Sequence, residues 1–241
     1  MEATVYNTSF MQTYVSVDCV VFGFDNNQLH VLLVQRNEDS SEKDLKLPGS
    51  LIFQDEDADE AAHRVLNEMT GIKRMPLKEF KSFTSPQRTQ SPKDLKWLET
   101  VYHNKIERLI TIAYLSLCKI NRKLNLVSKY KSVEWCPVNE LPQMPFDHNQ
   151  IVEESLQEIH RWMESDPSIV FELLPSKFTA AELRKLYEAI YQEPLDVRNF
   201  HKKIAGTAYI VPLDECQEGV SHRAARYYKF DKILYKKRSQ L

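Results

Sequence analysis

The sequence predicts two parts: an α/β layered domain over residues 1–165, then a smaller basic domain of paired helices and a β-hairpin over residues 166–241. Three observations carry this. In the first part, strand-like runs of Val, Leu and Phe bounded by turn residues alternate with two amphipathic helical segments. Pro167, inside ESDPSIV, disfavours helix at the residue before it and separates the parts. Residues 171–241 carry 13 Lys/Arg against 9 Asp/Glu, whereas the preceding residues carry 19 against 25. An acidic body with a basic extension implies that only the extension meets a polyanion.

The elements follow in order. SVDCVVFGF (Ser16–Phe24) and LHVLLVQR (Leu29–Arg36) read as strands, with Asp25, Asn26 and Asn27 turning between them as a hairpin. DADEAAHRVLNEMTG reads as a helix: Ala58, Ala62, Val65, Leu66 and Met69 recur at helical spacing, and Gly71 stands where a glycine cap belongs. Residues 85–106 read as a long excursion between strands, of the kind that is functional or disordered. ERLITIAYLSLCKI (Glu107–Ile120) and SVEWCPV (Ser132–Val138) are strands. HNQIVEESLQEIHRWMES (His148–Ser165) is an amphipathic helix.

With 241 residues, 42% hydrophobic and 27% charged, the chain can bury a core without disulfide staples. The four cysteines show no C-x-x-C pair and are expected to be buried free thiols in a reducing cytoplasm. The segment MEATVYNTSFMQTY lacks the basic start and apolar run of a secretory leader, and no run is long and apolar enough to span a bilayer. A cytoplasmic protein without membrane contact is expected.

In the C-terminal part, Thr179 and Glu182 form a T-x-x-E capping box that opens a helix running to about Gln192. Glu193 and Pro194 break it. Asp196 caps a second helix over Val197–Ala205, ended by Gly206. Val197, Phe200 and Ile204 are expected to face inward, which leaves Arg198, Asn199, Lys202 and Lys203 outward. Two helices with a short turn make the helix-turn-helix unit, whose second helix enters the major groove of DNA. The strands TAYIVPL (Thr207–Leu213) and AARYYKF (Ala224–Phe230) follow as a wing. His222, Arg223 and Arg226 on its returning arm are placed for phosphates, and Lys236–Arg238 add nonspecific attraction.

LPGSLIFQDEDADEAAHRVLNEMTGI (Leu47–Ile72) resembles the Nudix box, G-x5-E-x7-R-E-U-x-E-E-x-G-U with U aliphatic. Anchored on Arg64 and Gly71, the box spans residues 50–72: its first glycine falls on Ser50, just after Gly49, its first glutamate on Glu56, and its three helix glutamates on Val65, Glu68 and Met69. The resemblance implies a Nudix-like sandwich fold. Nudix enzymes cleave phosphoanhydrides with Mg²⁺, a hard cation that needs several oxygen ligands. With Val65 and Met69 in two of the three positions, neither metal, cofactor nor catalysis is expected. Glu56, Arg64 and Glu68 remain as a vestige.

The Nudix-like part joined to this C-terminal segment resembles the Nudix-related transcriptional regulators of the NrtR-like family, among them an arabinose-responsive type. VDCVVFGF (Val17–Phe24), FDHNQIV (Phe146–Val152), LLPSKFT (Leu173–Thr179), LYEAIYQEPLDVRNFHKK (Leu186–Lys203) and ARYYKF (Ala225–Phe230) carry the resemblance. It implies an α/β (α+β) sandwich domain followed by a winged helix-turn-helix, and a homodimer that reads a palindromic operator in double-stranded DNA. It also implies a small-molecule effector that weakens DNA binding. Lost box glutamates favour a sugar or sugar derivative, hence repression of pentose-type catabolism, with Glu68 and Arg36 as candidate effector contacts. Two alternatives stay open: a Nudix pyrophosphohydrolase of nucleoside diphosphate derivatives, and a regulator that senses an NAD-related nucleotide.

Overall fold

The computed structural model describes residues 13–25, 27–36, 43–120, 133–219 and 224–238. β1 (Tyr14–Asp25) and β2 (Gln28–Gln35) form the expected antiparallel hairpin. In its turn Asn27 adopts a φ of 62°, a left-handed conformation that asparagine tolerates better than most residues. β1 also runs parallel to β6 (Leu109–Lys119), from Tyr14 opposite Leu109 to Phe24 opposite Lys119. The sheet order is β3 (Leu45–Lys46), β2, β1, β6, β5 (Lys78–Phe83); β4 (Gly49–Leu51) pairs with β1, and β7 (Val133–Pro137) with β2.

Residues 16–24 of β1 are all buried, because the sheet is covered on both faces. Side chains alternate along a strand, so this one segment serves two cores. Val17, Cys19 and Val21 pack with Ala61, Ala62, Val65, Leu66 and Met69 of α1 (Ala58–Thr70). Val20, Phe22 and Phe24 share a cluster with Ile151, Val152 and Ile159 of α3 (His148–Ser165). α1 starts at a reciprocal capping box between Asp57 and Glu60 and stops at Gly71, whose φ of 79° is the left-handed cap expected of a glycine there.

The 85–106 segment is not an irregular excursion. A 3₁₀ turn (Pro86–Thr89) leads into α2 (Pro92–Tyr102), capped by Ser91 with Pro92 in its first turn. Its only buried members are Asp94 and Leu98, so it shows little apolar periodicity. β5 was also unexpected: it alternates charged and aromatic residues, and only Phe83 is buried.

The C-terminal part holds a 3₁₀ turn (Pro167–Glu172), β8 (Phe178–Thr179), α4 (Ala180–Tyr191), α5 (Val197–Ala205), β9 (Ile210–Cys216), β10 (Arg226–Phe230) and α6 (Lys232–Arg238). The strands form a small sheet in the order β8, β10, β9. Thr179 and Glu182 make their capping box. Val197 corrects an expectation: it is 50% exposed, because α5 buries only Phe200 and Ile204 and its first turn projects past α4. The cysteines are free, but only Cys19 is fully buried and Cys216 is exposed.

The boundary in the sequence is not a boundary in the core. One apolar cluster runs from Leu29, Val31 and Leu33 of β2 through α3 to Leu183, Leu186 and Ile190 of α4 and Phe200 and Ile204 of α5. The rings of His160 on α3 and Tyr191 on α4 meet edge to face at 4.5 Å. No helix among the described residues is long and apolar enough to cross a membrane.

Candidate functional site

The exposed side of α5 is one candidate surface. Asp196 accepts the Asn199 amide at 2.7 Å and fixes the start of the helix. Leu195 N–H donates to Glu188 at 3.2 Å and ties the turn to α4. Phe200 packs edge to face on Tyr187, with ring centres 5.5 Å apart, and pins the inner face. Arg198, Asn199, His201, Lys202 and Lys203 are all exposed. Lys203 leans back over the Tyr187 ring, 5.4 Å from its centre, on the α4 side of the surface. Arg226 is exposed at the start of the wing strand β10. His222 and Arg223 lie outside the described residues. Such a face offers guanidinium, amide and ammonium donors, the groups that meet base edges and phosphates.

A second site lies inside the first domain, between β1, the β3–β4 turn, α2 and the start of α3. Asp18, Lys46, Arg88 and His148 converge on a small cavity of about 30 Å³, lined also by Trp97, Tyr102 and Phe146. Ser16 and Thr111 make its floor, their hydroxyls 2.6 Å apart. Arg88, which the excursion carries inward, forms a bidentate pair with Asp147, with contacts of 2.7–3.3 Å. With its carboxylate so used, Asp147, the residue just before α3, makes no side-chain cap to the helix. His148 Nδ1 accepts the Leu47 amide hydrogen at 3.1 Å, so a neutral ring carries its proton on Nε2, 3.6 Å from Asp18.

Electrostatics follow from burial. It pushes the Asp18 carboxyl up to about 7, against the pull of Arg88 and Lys46. Burial lowers the Lys46 ammonium to about 8, with Asp18 opposing. Burial, with Lys46 and Arg88 adding to it, holds His148 well below the usual imidazole range and keeps it neutral.

Neither sequence-derived effector candidate lines this cavity. Arg36 is buried behind it: its guanidinium stacks on Trp97 at 4.6 Å and on Phe146 at 5.3 Å, and pairs with Asp94 at 2.7 Å. Glu68 points outward from α1 to Arg64, 3.3 Å away. Asp18, Lys46, Arg88 and His148 were missed by sequence reasoning. For Asp18 and Lys46 the signal was a lone charged side chain inside an otherwise apolar run, as in VDCVV and LKL; Arg88 and His148, in PQRTQ and FDHNQ, carried none.

The remaining box residues bond to one another and to the backbone. Arg64 holds Glu56 through Nε at 2.8 Å and Nη2 at 2.5 Å, and donates to the Leu51 carbonyl at 3.0 Å, which clamps the loop before α1. The Arg64 hydrogen bond keeps the Glu56 carboxyl below its usual range. Of the three positions that would supply carboxylates, Val65 is wholly buried in the apolar cluster, Met69 is 9% exposed, and Glu68 is turned to Arg64. One carboxylate beside two apolar side chains does not fit a hard divalent cation.

Both parts of the chain match known protein families. Residues 13–158 match the NUDIX domain, and residues 170–230 match the NrtR DNA-binding winged helix domain. The two together define a DNA-binding regulator built on a Nudix scaffold. The ADPR responsive transcriptional repressor NtrR of Acinetobacter baylyi is 23% identical over 232 residues, 95% of this chain and 86% of that protein. The chain belongs to the NrtR-like family of Nudix-related transcriptional regulators. Its fold resembles the crystal structure of Shewanella oneidensis NrtR complexed with a 27mer DNA (TM-score 0.63, 22% identity, covering 90% of this chain and 93% of that one). It likewise resembles a MutT/nudix family protein from Enterococcus faecalis (TM-score 0.63, 21% identity, covering 96% and 90%).

Proposed function

We propose that the chain is an effector-gated, DNA-binding transcriptional repressor, with a sensor over residues 1–165 that binds its ligand without hydrolysing it and a DNA reader over residues 166–241. The observation that carries this is the exposed cationic face of α5, on a helix whose Phe200 and Ile204 share one apolar cluster with β2 and α3 of the Nudix domain, a domain that also holds a charged cavity. Arg198 and Asn199, in the first turn, enter the groove. Lys202, Lys203, His222, Arg223 and Arg226 hold phosphates. A homodimer in the cytoplasm places two such helices on a palindromic operator.

The cavity supports an effector that presents a pentose ring. Aromatic side chains line it, and acidic, cationic and hydroxyl groups surround its floor, the mixture that grips a polyol. At about 30 Å³ it holds no more than a water, so a sugar enters only by lifting α2 and its Trp97. Arg88–Asp147 then pulls on the start of α3, and the His160–Tyr191 contact passes the shift to α4 and the reading helix. ADP-ribose is the first reading, supported by the response for which the Acinetobacter relative is named; it brings such a ring on a pyrophosphate. A free pentose, with genes of pentose catabolism as targets, is the second.

The test is release of DNA from upstream of the chain's own gene, followed by fluorescence anisotropy with L-arabinose, D-xylose, D-ribose or ADP-ribose. Release by ADP-ribose supports the first reading, and release by a free pentose alone moves the assignment to the second. Absence of DNA binding at low salt overturns both.

A further inference from the structure

Lys46 sits on the two-residue strand β3 and is 4% exposed. Its ammonium donates to the Leu47 carbonyl at 3.0 Å and to the Gly49 carbonyl at 2.9 Å, and its third contact is the Met69 Sδ at 3.9 Å. The Trp97 ring, 5.9 Å away, covers it. A buried cation is costly unless its protons are matched, and here two neutral carbonyls and a thioether do the matching. These partners are not arbitrary. Met69 is a glutamate position of the Nudix box, and Gly49 adjoins the position of its first glycine.

We propose that the Lys46 ammonium takes the place of the divalent cation for which a Nudix box is built, so that the chain carries this charge on its own side chain. A metal ion needs several oxygens, including carboxylates. An ammonium with three protons needs only three acceptors, and its single charge calls for less compensation. Loss of the glutamates is then one change with the arrival of the lysine. A glutamate at position 69 beside Lys46 would close on the ammonium as an ion pair instead of recruiting a metal. The thioether that stands there is neutral, polarisable and long enough to touch the cation. Among the described residues, no group of three or more His, Cys, Asp or Glu is arranged to hold a metal ion.

This deepens the reading of the domain as a sensor, and its test is separate: neither DNA release nor turnover is its readout. Mn²⁺ binding is measured by calorimetry and by water-proton relaxation on two full-length variants, Met69→Glu and Met69→Glu with Lys46→Met. The first should not bind Mn²⁺ detectably, and the second should bind at least roughly tenfold more tightly. Equal affinity in both, or none in either, overturns the proposal. If the double variant does not fold, Lys46→Ala decides. Its melting temperature should recover with methylammonium and not with tetramethylammonium at matched ionic strength; equal effects of the two cations refute the built-in charge.

Discussion

Gly49 and Asp18 face each other across the β1–β4 pair with no room for one more carbon: a methyl group at Gly49 would lie 1.7 Å from Asp18 Oδ1 and 2.9 Å from the Val17 carbonyl oxygen. The Asp18 carboxyl is wedged against the cavity wall by this contact, and the Gly49 carbonyl in turn holds Lys46. Gly49→Ala should therefore push Asp18 off its place and cost about 1–3 kcal/mol of stability, the usual range for overpacking. Urea unfolding of the two chains checks this. A variant as stable as the parent would mean that the strand pair gives way more easily than its contacts suggest.

Asp18 sets a pH dependence whose sign is definite. Its folded value of about 7 lies above the ordinary 3.8, so the folded chain holds an extra proton between those pH values. The stability this contributes is fully present below about pH 4 and is lost as pH rises through about 7. In Asp18→Asn the group cannot ionise. Relative to that variant, the parent should lose roughly 2–4 kcal/mol between pH 4 and pH 7.5. Denaturant midpoints at several pH values read the difference, and parallel curves would refute it.

Arg36 and Asp94 join β2 to α2 beside Trp97 and Phe146, with side chains 1% and 7% exposed. Asp94 also accepts the Phe146 amide at 3.1 Å, at a residue whose φ of 54° is left-handed. Asp94→Ala leaves the buried guanidinium with only the longer contact to Asp44, at 3.9 Å, and should cost up to about 3–5 kcal/mol. Replacing both members, Arg36→Met with Asp94→Leu, should cost less. Thermal unfolding of the single and double variants distinguishes an ion pair from a mere packing contact, for which the losses would add.

On the DNA side, Arg198→Ala should cost roughly 1–3 kcal/mol and relax specificity at one position of each half-site, as expected of a side chain that reads a base. Lys203→Ala should weaken binding to all sequences alike and flatten the salt dependence. Half-sites should lie about one helical turn, or a multiple, apart. If both variants bind the upstream DNA like the parent at two salt concentrations, α5 is not the reading helix.

Strong apolar periodicity made α1 and α3 legible: Ile151, Val152, Leu156, Ile159 and Met163 mark one face of α3, which spans the residues expected of it. α2 was hidden because it buries so little, although Ser91 followed by Pro92 is a helix start that composition alone did not reveal. The α5 surface was readable from the spacing of Phe200 and Ile204, with Val197 wrongly placed because a first turn need not obey the stripe of the turns after it. The cavity was not readable. Asp18, Lys46, Arg88 and His148 come from four separate segments, two strands, a 3₁₀ turn and the start of α3, and only the tertiary fold brings them together. Arg36 looked available because it ends a strand; α2, unseen in the sequence, is what covers it.

The apolar cluster shared by β2, α3, α4 and α5 makes the reading head and the sensor one thermodynamic body. Calorimetry of the intact chain should give a single transition whose van't Hoff and calorimetric enthalpies agree. Damage to the wing should then lower the melting point of the whole chain, and a ligand held in the Nudix domain should protect the DNA-binding helices from proteolysis some distance away. In such a molecule nothing needs to be transmitted through a linker: the two ends melt, and stiffen, together.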